Sequence, residues 1–198
     1  FDFAFMDRAL ELLHEGGVRV DLGTPTAAPP AWLVHQHPDI LPMTVDGQVL
    51  GFGARESFCP SSPHYRKAAA AITSVLAERY GEHPALAMWH VHNEFGAHVG
   101  ACYCPTSADA FRWWLQARYG TLAALNDAWG TTFWGQAYSD WAHIEPPRRA
   151  PMPTNPAQQL DFMRFTSEEY LACYRNELDV LRAITPTVPV TTNFMATS

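Results

Sequence analysis

The chain has 198 residues, of which 47% are hydrophobic and 17% charged, enough apolar material for a domain with its own core. A formal net charge of −7 argues against a nucleic-acid backbone or an anionic membrane as the main partner. No apolar run approaches the roughly 20 residues a membrane helix needs, and four Cys in a chain this long suggest thiols of a reduced, cytoplasmic setting or a metal site rather than a disulfide scaffold.

In chain order, Phe5, Ala9, Leu10 and Leu13 recur at helical spacing, and Gly16-Gly17 stops that helix. Val18 to Leu22 alternates as a strand, and the Pro-rich run Gly23 to Pro30 opens a loop expected to reach about residue 60. Ser62-Pro63 starts a helix with Tyr65, Ala69, Ile72, Leu76 and Tyr80 along one face, closed by Gly81. Ala85 to Val91 reads as a buried strand. Thr106-Ser107-Ala108-Asp109 predicts the cap of a helix containing Trp113 and Trp114. Gly120 ends that helix, and Thr121 caps a short one reaching Trp129. Residues 130–157 are Pro-rich and irregular; Asn155-Pro156 opens a long helix to about Ile184, and Val188 to Phe194 reads as a last strand. The chain opens at Phe1, not Met, inside a helical pattern, so no leader is visible and the true N-terminus is expected upstream.

Helices alternating with strands imply a parallel α/β sheet. The long loops all follow strands, and in a (β/α)8 barrel that is the catalytic face. Three strands fall short of a barrel, which takes about 250 residues. A doubly wound nucleotide-binding sheet is the structural rival. No G-x-G-x-x-G follows a strand here, which weakens it; Gly51-Phe52-Gly53 lies in a loop.

The segment Trp89-His90-Val91-His92-Asn93-Glu94-Phe95-Gly96 ends the second strand. Strand alternation puts His90, His92 and Glu94 on one face, a polar column closing on a carboxyl group at the mouth. Glycoside hydrolysis needs such a carboxylic acid to protonate the leaving oxygen, kept protonated by burial beside aromatics such as Trp89 or Phe95. Asn93 is placed to donate to a sugar hydroxyl. From the Asn-Glu dipeptide alone, a strand-ending turn would be the better reading; the strand before it and the barrel pattern around it favour function.

Gly23 to Leu33, Arg55-Glu56-Ser57-Phe58-Cys59-Pro60-Ser61-Ser62-Pro63, Trp89 to Gly96 and Cys102-Tyr103-Cys104-Pro105 occur in that order, extended by Ala128 to Trp134 and Thr192-Asn193-Phe194-Met195. Together they resemble glycoside hydrolase family 42, the β-galactosidases. The resemblance implies a partial TIM (β/α)8 barrel: residues 1–198 as part of the catalytic domain, roughly strands three to five, with the remaining strands and the C-terminal domains outside the chain. It implies retention, Glu94 as general acid/base, and Asn93, Arg55 and Trp134 as sugar-binding residues. The nucleophile, a second Glu on a later strand, would lie beyond Ser198. Glu145, Glu168, Glu169 and Glu177 are poor substitutes, and the last three read as a solvated helix face. No catalytic cofactor is implied. The partners implied are a β-galactoside or oligosaccharide substrate, with α-L-arabinopyranosides also within the family's range, and a homotrimer in the full-length protein.

The resemblance also implies a structural zinc held by Cys59, Cys102, Cys104 and a fourth Cys where this chain has Ser107. Ser is a poor zinc ligand, and Ser107 is itself a helix-cap candidate, so this departure weighs against the metal. His98 or His64 are alternatives for the fourth position, with no spacing rule selecting either. Cys173 reads as a small core residue, and Asp21 as an unassigned acid in a buried strand. Two rival functions remain at this level. His90-Val91-His92 would suit a metal-dependent hydrolase, but the last strand offers no further His. A chain without its nucleophile would also suit an inactive carbohydrate-binding piece.

Overall fold

A computed structural model describes residues 2–193; the calls on Phe1, Phe194 and Met195 fall outside the described residues. The elements run α1 (Ala4–Glu15), β1 (Val20–Gly23), α2 (Ala31–Gln36), α3 (Pro63–Tyr80), β2 (Leu86–His90), α4 (Pro105–Tyr119), α5 (Leu122–Trp129), α6 (Pro156–Ile184) and β3 (Val190–Thr191). The strands form one parallel sheet in the order β1-β2-β3. Gly23 pairs with His90 and His90 with Thr191, so the strand ends lie level at one rim.

The caps explain the helix boundaries. Ser62, Thr121 and Asn155 each accept a backbone N–H from the first turn of α3, α5 and α6, satisfying donors that have no partner inside the helix. The cap of α4 is Cys104, whose Sγ accepts from the Ser107 N–H at 3.5 Å, not Thr106 or Ser107 as the sequence pattern predicts. Ser107 is instead buried in the first turn. The loop expected from 24 to 60 contains α2 and a 3₁₀ turn at Pro38–Ile40, both short enough to be masked by the surrounding prolines. Gly81 ends α3 in right-handed conformation: a Cβ there would collide with Thr185 Cγ2 and with the carbonyl of Ala77.

One face of the sheet is covered by helices. Leu22, Trp89 and Val91 pack with Leu10 of α1, Leu76, Ala77 and Tyr80 of α3 and Leu181 of α6. Trp89 is fully buried there, and its Nε1 donates to Thr185 Oγ1 at 3.0 Å; each such side chain contributes about 1.5–3 kcal/mol by leaving water. Thr185 in turn donates to the Leu181 carbonyl at 2.9 Å, so one residue touches the ends of α3 and α6 and the ring from β2. A second cluster joins α4, α5 and α6 through Phe111, Leu115, Leu125, Trp129, Phe162 and Phe165. The opposite face of the sheet carries Asp21, Met88 and His90, and Asp21 is exposed in this chain. In α1 only Leu10 of the expected face is buried, and Phe5 is 83% exposed. Trp113 is exposed as well, while Trp114 is half-buried and donates to Glu168. No helix among the described residues is long and apolar enough to cross a membrane.

Candidate active site

β2 ends at His90, and the chain then leaves the sheet in an irregular segment. His92 has φ 58° and Glu94 φ 58°. Left-handed backbone at non-glycine residues costs of order 1–3 kcal/mol and collects at functional sites. Among the described residues the other two non-glycine cases are Glu56 and Trp134. All four fall in segments already marked as chemistry-bearing.

The turn at His92 breaks the alternation expected of His90, His92 and Glu94. Val91 joins the helix-side core, and His92 is buried, its ring stacked on Phe95 at 3.9 Å and edge-on to Phe58 at 5.5 Å. Neither ring nitrogen of His92 has a hydrogen-bond partner, and burial holds its pKa down at about 4. His90 Nε2 instead donates to Asn193 Oδ1 at 3.0 Å. The metal-hydrolase arrangement, two imidazoles side by side on one strand face, is therefore not what the chain forms. Trp89 also points to the helices and cannot flank Glu94.

Glu94 lies at the rim with 20% of its side chain exposed, and Arg55 Nη1 pairs with its Oε2 at 2.6 Å. Arg55 Nη2 donates to His98 Nε2 at 3.2 Å. Asn193, just past β3, braces the same segment: its Oδ1 accepts from the Glu94 N–H at 3.1 Å, and its Nδ2 donates to Asn93 Oδ1 at 3.3 Å. Arg55, Asn93 and Glu94 are thus brought together, with His98 and Asn193 as partners that strand and helix patterns did not signal. Trp134 is 69% exposed, stacks on Phe133, and lines a cleft of about 320 Å³ with Gln136, Tyr138 and Met152 that includes none of those residues.

Of the four carboxylates set aside as substitutes, three pair with side chains distant in sequence: Glu145 with Arg112, Glu168 with Trp114, and Glu169 with Arg66 at 3.0 Å. Glu177 is the correction. It is fully buried between α6 and α3, where Thr73 Oγ1 donates to its Oε2 at 3.3 Å and Oε1 has no partner. Burial pushes its pKa up to about 7, against the opposing influence of the nearby Thr24, Thr26 and Thr73 hydroxyls.

The three thiols grouped by the family resemblance lie together. Cys59, Cys102 and Cys104 are all buried with their Sγ atoms within 4.8 Å of one another. Cys104 is the acidic member, its pKa lowered first by hydrogen bonds from Cys102 and Cys59 and then by N–H groups at the start of α4; the other two are raised. His98 is engaged by Arg55, and His64 pairs with Asp39 at 3.1 Å and stacks on His37, so neither joins the thiols. Cys173 is a core residue whose Sγ donates to the Pro60 carbonyl at 3.3 Å.

Comparison with known proteins settles the relationship. The profile of glycoside hydrolase family 42, described as beta-galactosidase, matches residues 1–198. The chain belongs to glycoside hydrolase family 42. A β-galactosidase of Arthrobacter sp. is 57% identical over 198 residues, which is all of this chain and 28% of that protein. The solved β-galactosidase of the psychrophilic Marinomonas ef1 superimposes with a TM-score of 0.97 at 39% identity, over 100% of this chain and 30% of the other. That of the haloarchaeon Halorubrum lacusprofundi gives 0.96 at 41% identity, over 100% and 30%. This family 42 chain therefore spans under a third of the length of such relatives, and its three parallel strands with their helices are a segment of the family's (β/α)8 barrel. Arg55, Glu94 and Asn193 lie together at the C-terminal ends of the strands, the end at which (β/α)8 barrels in general carry their active sites.

Proposed function

We propose that the full-length protein carrying this segment is a retaining glycosidase that releases terminal non-reducing β-D-galactose by double displacement, with Glu94 as general acid/base. The observation that carries it is the placement of Glu94 at the C-terminal rim of β2, partly open to solvent and clamped between Arg55 and Asn193. Glu94 donates its proton to the glycosidic oxygen as the sugar departs, then takes one from the water that attacks the glycosyl-enzyme. Asn93 and Arg55 supply donors to the sugar hydroxyls. The nucleophile is a carboxylate from a later strand, about 5–5.5 Å from Glu94, the separation retention requires. α-L-Arabinopyranosides, galactosides without the hydroxymethyl group, fit the same reading.

A structural zinc on Cys59, Cys102 and Cys104 belongs to the same proposal. Cys59 and Cys104 Sγ lie 3.5 Å apart, near the roughly 3.8 Å that two thiolates on one tetrahedral zinc with Zn–S of about 2.3 Å require. Such an ion would tie the loop after β1 to the start of α4. With Ser107 turned into the first turn of α4, the fourth donor would be a water.

The test is Glu94→Gln in the full-length protein. Turnover of galactosides with poor leaving groups should fall by about 10²–10⁴-fold, while 2,4-dinitrophenyl galactoside still forms the glycosyl-enzyme and azide restores its release as β-galactosyl azide. A Glu94→Gln enzyme fully active on poor leaving groups would refute the assignment. The 198-residue chain alone should show no turnover.

A further inference from the structure

Glu56 stands next to Arg55 and carries features that packing alone would select against. It is a carboxylate only 1% exposed, its backbone is left-handed at φ 60°, and its Oε1 has no hydrogen-bond partner. A glycine would accept that backbone without strain, and an aliphatic side chain would fill the space without burying charge. What Glu56 does that neither could is accept two backbone N–H groups from the loop bearing Glu94. Its Oε2 lies 2.9 Å from the His98 nitrogen and 3.3 Å from that of Val99. At its other end the Glu56 N–H donates to the Ala27 carbonyl at 2.6 Å, which fixes it to the segment leaving β1.

We propose that Glu56 is a positioning residue for the reaction: it stitches the loop after β1 to the loop after β2, so that Arg55 and Glu94 are held in register. The proposal rests on reading Glu94 as the acid/base. Just beyond His90 the Val91 N–H still donates to the Thr191 carbonyl at 2.9 Å and the His92 N–H to Thr24 Oγ1 at 2.8 Å, but residues 93–99 lie outside the strand. The loop's other supports include Asn193 below Glu94, and Tyr170, which donates to the Val99 carbonyl and packs its ring against Gly96. Arg55 bridges Glu94 and His98, and Glu56 pins the backbone of that same His98. The two adjacent residues therefore grip one short loop from side chain and main chain together. A proton donor displaced by about 1 Å can lose about 10²-fold in rate, so the stitch acts on the step that needs the proton.

The experiment uses the full-length protein with Glu56→Ala, Glu56→Gln and Glu56→Asp, and Glu94→Gln as control, on phenyl and 2,4-dinitrophenyl β-galactosides. Glu56→Ala should lower kcat/KM on the phenyl substrate about 10²-fold, while kcat/KM on the dinitrophenyl substrate, whose aglycone leaves without proton donation, is nearly unaffected. Glu56→Gln keeps an oxygen that accepts both N–H groups and should restore most of the loss. Should Glu56→Ala fail to fold, Glu56→Asp carries the test: it keeps the charge but withdraws the carboxylate by one methylene, and should show the same selective loss. An equal loss of kcat/KM on both substrates, or none, in the folded variants overturns the stitch. Full activity of Glu94→Gln on the phenyl substrate overturns the reading of Glu94 itself, and this proposal with it.

Discussion

Replacing Glu177 by Gln should stabilise the protein, and only on the alkaline side. Glu177 is fully buried, with Thr73 donating to one oxygen and nothing to the other. Burial raises its pKa from 4.5 to about 7. The folded state therefore binds this proton more tightly than the unfolded chain does, and between those pH values folding takes a proton up. The sign follows: the contribution of Glu177 to stability falls as pH rises from 4.5 through 7 and stays unfavourable above it. At about 1.4 kcal/mol per pH unit over that interval, the charged form costs about 3 kcal/mol in the folded protein. Gln keeps an acceptor for Thr73 and never ionises. Urea unfolding followed by tryptophan fluorescence should give the two proteins similar stability at pH 5 and a Glu177→Gln variant more stable by up to about 3 kcal/mol at pH 8. A difference that is the same at both pH values would refute the reasoning.

His92 should act with the opposite sign. Its pKa is lowered from 6.5 to about 4 by burial, so its contribution is intact above 6.5 and is lost as pH falls toward 4. His92→Leu should remove that acid-side fall in the same unfolding assay. Because the two intervals overlap, the wild type should be flatter across them than either variant. For the thiols, elemental analysis of protein purified without chelator should find about one zinc per chain, absent from Cys59→Ser; a metal-free wild type would count against the site.

Much of the scaffold is legible in the sequence because its signals are local. Ser62-Pro63, Thr121 and Asn155-Pro156 each announce a helix start through one capping side chain, and the structure has a helix beginning at each. The thiols could be grouped, and Arg55 and Glu94 both picked out, through the family pattern rather than through spacing. What local patterns could not carry is direction. Period-two alternation holds only while the chain stays in the sheet, and the left-handed turn at His92 redirects everything after His90. Glu177 looks like one more surface acid on a long helix. It is buried because α3 packs across that turn of α6, a tertiary fact with no signature within α6 itself. Glu56 and Asn193 were within quoted motifs, yet their partners lie 42 and about 100 residues away.

Thr185 has a bearing on how such enzymes adapt. It sits where the chain leaves α6 for β3, receives the indole of Trp89, and presses its methyl group into the space that only a glycine at position 81 leaves open. Two helices and a strand are keyed together there by a side chain that touches none of Arg55, Asn93 or Glu94. Substitutions at that junction should shift heat tolerance without altering which sugar is cleaved.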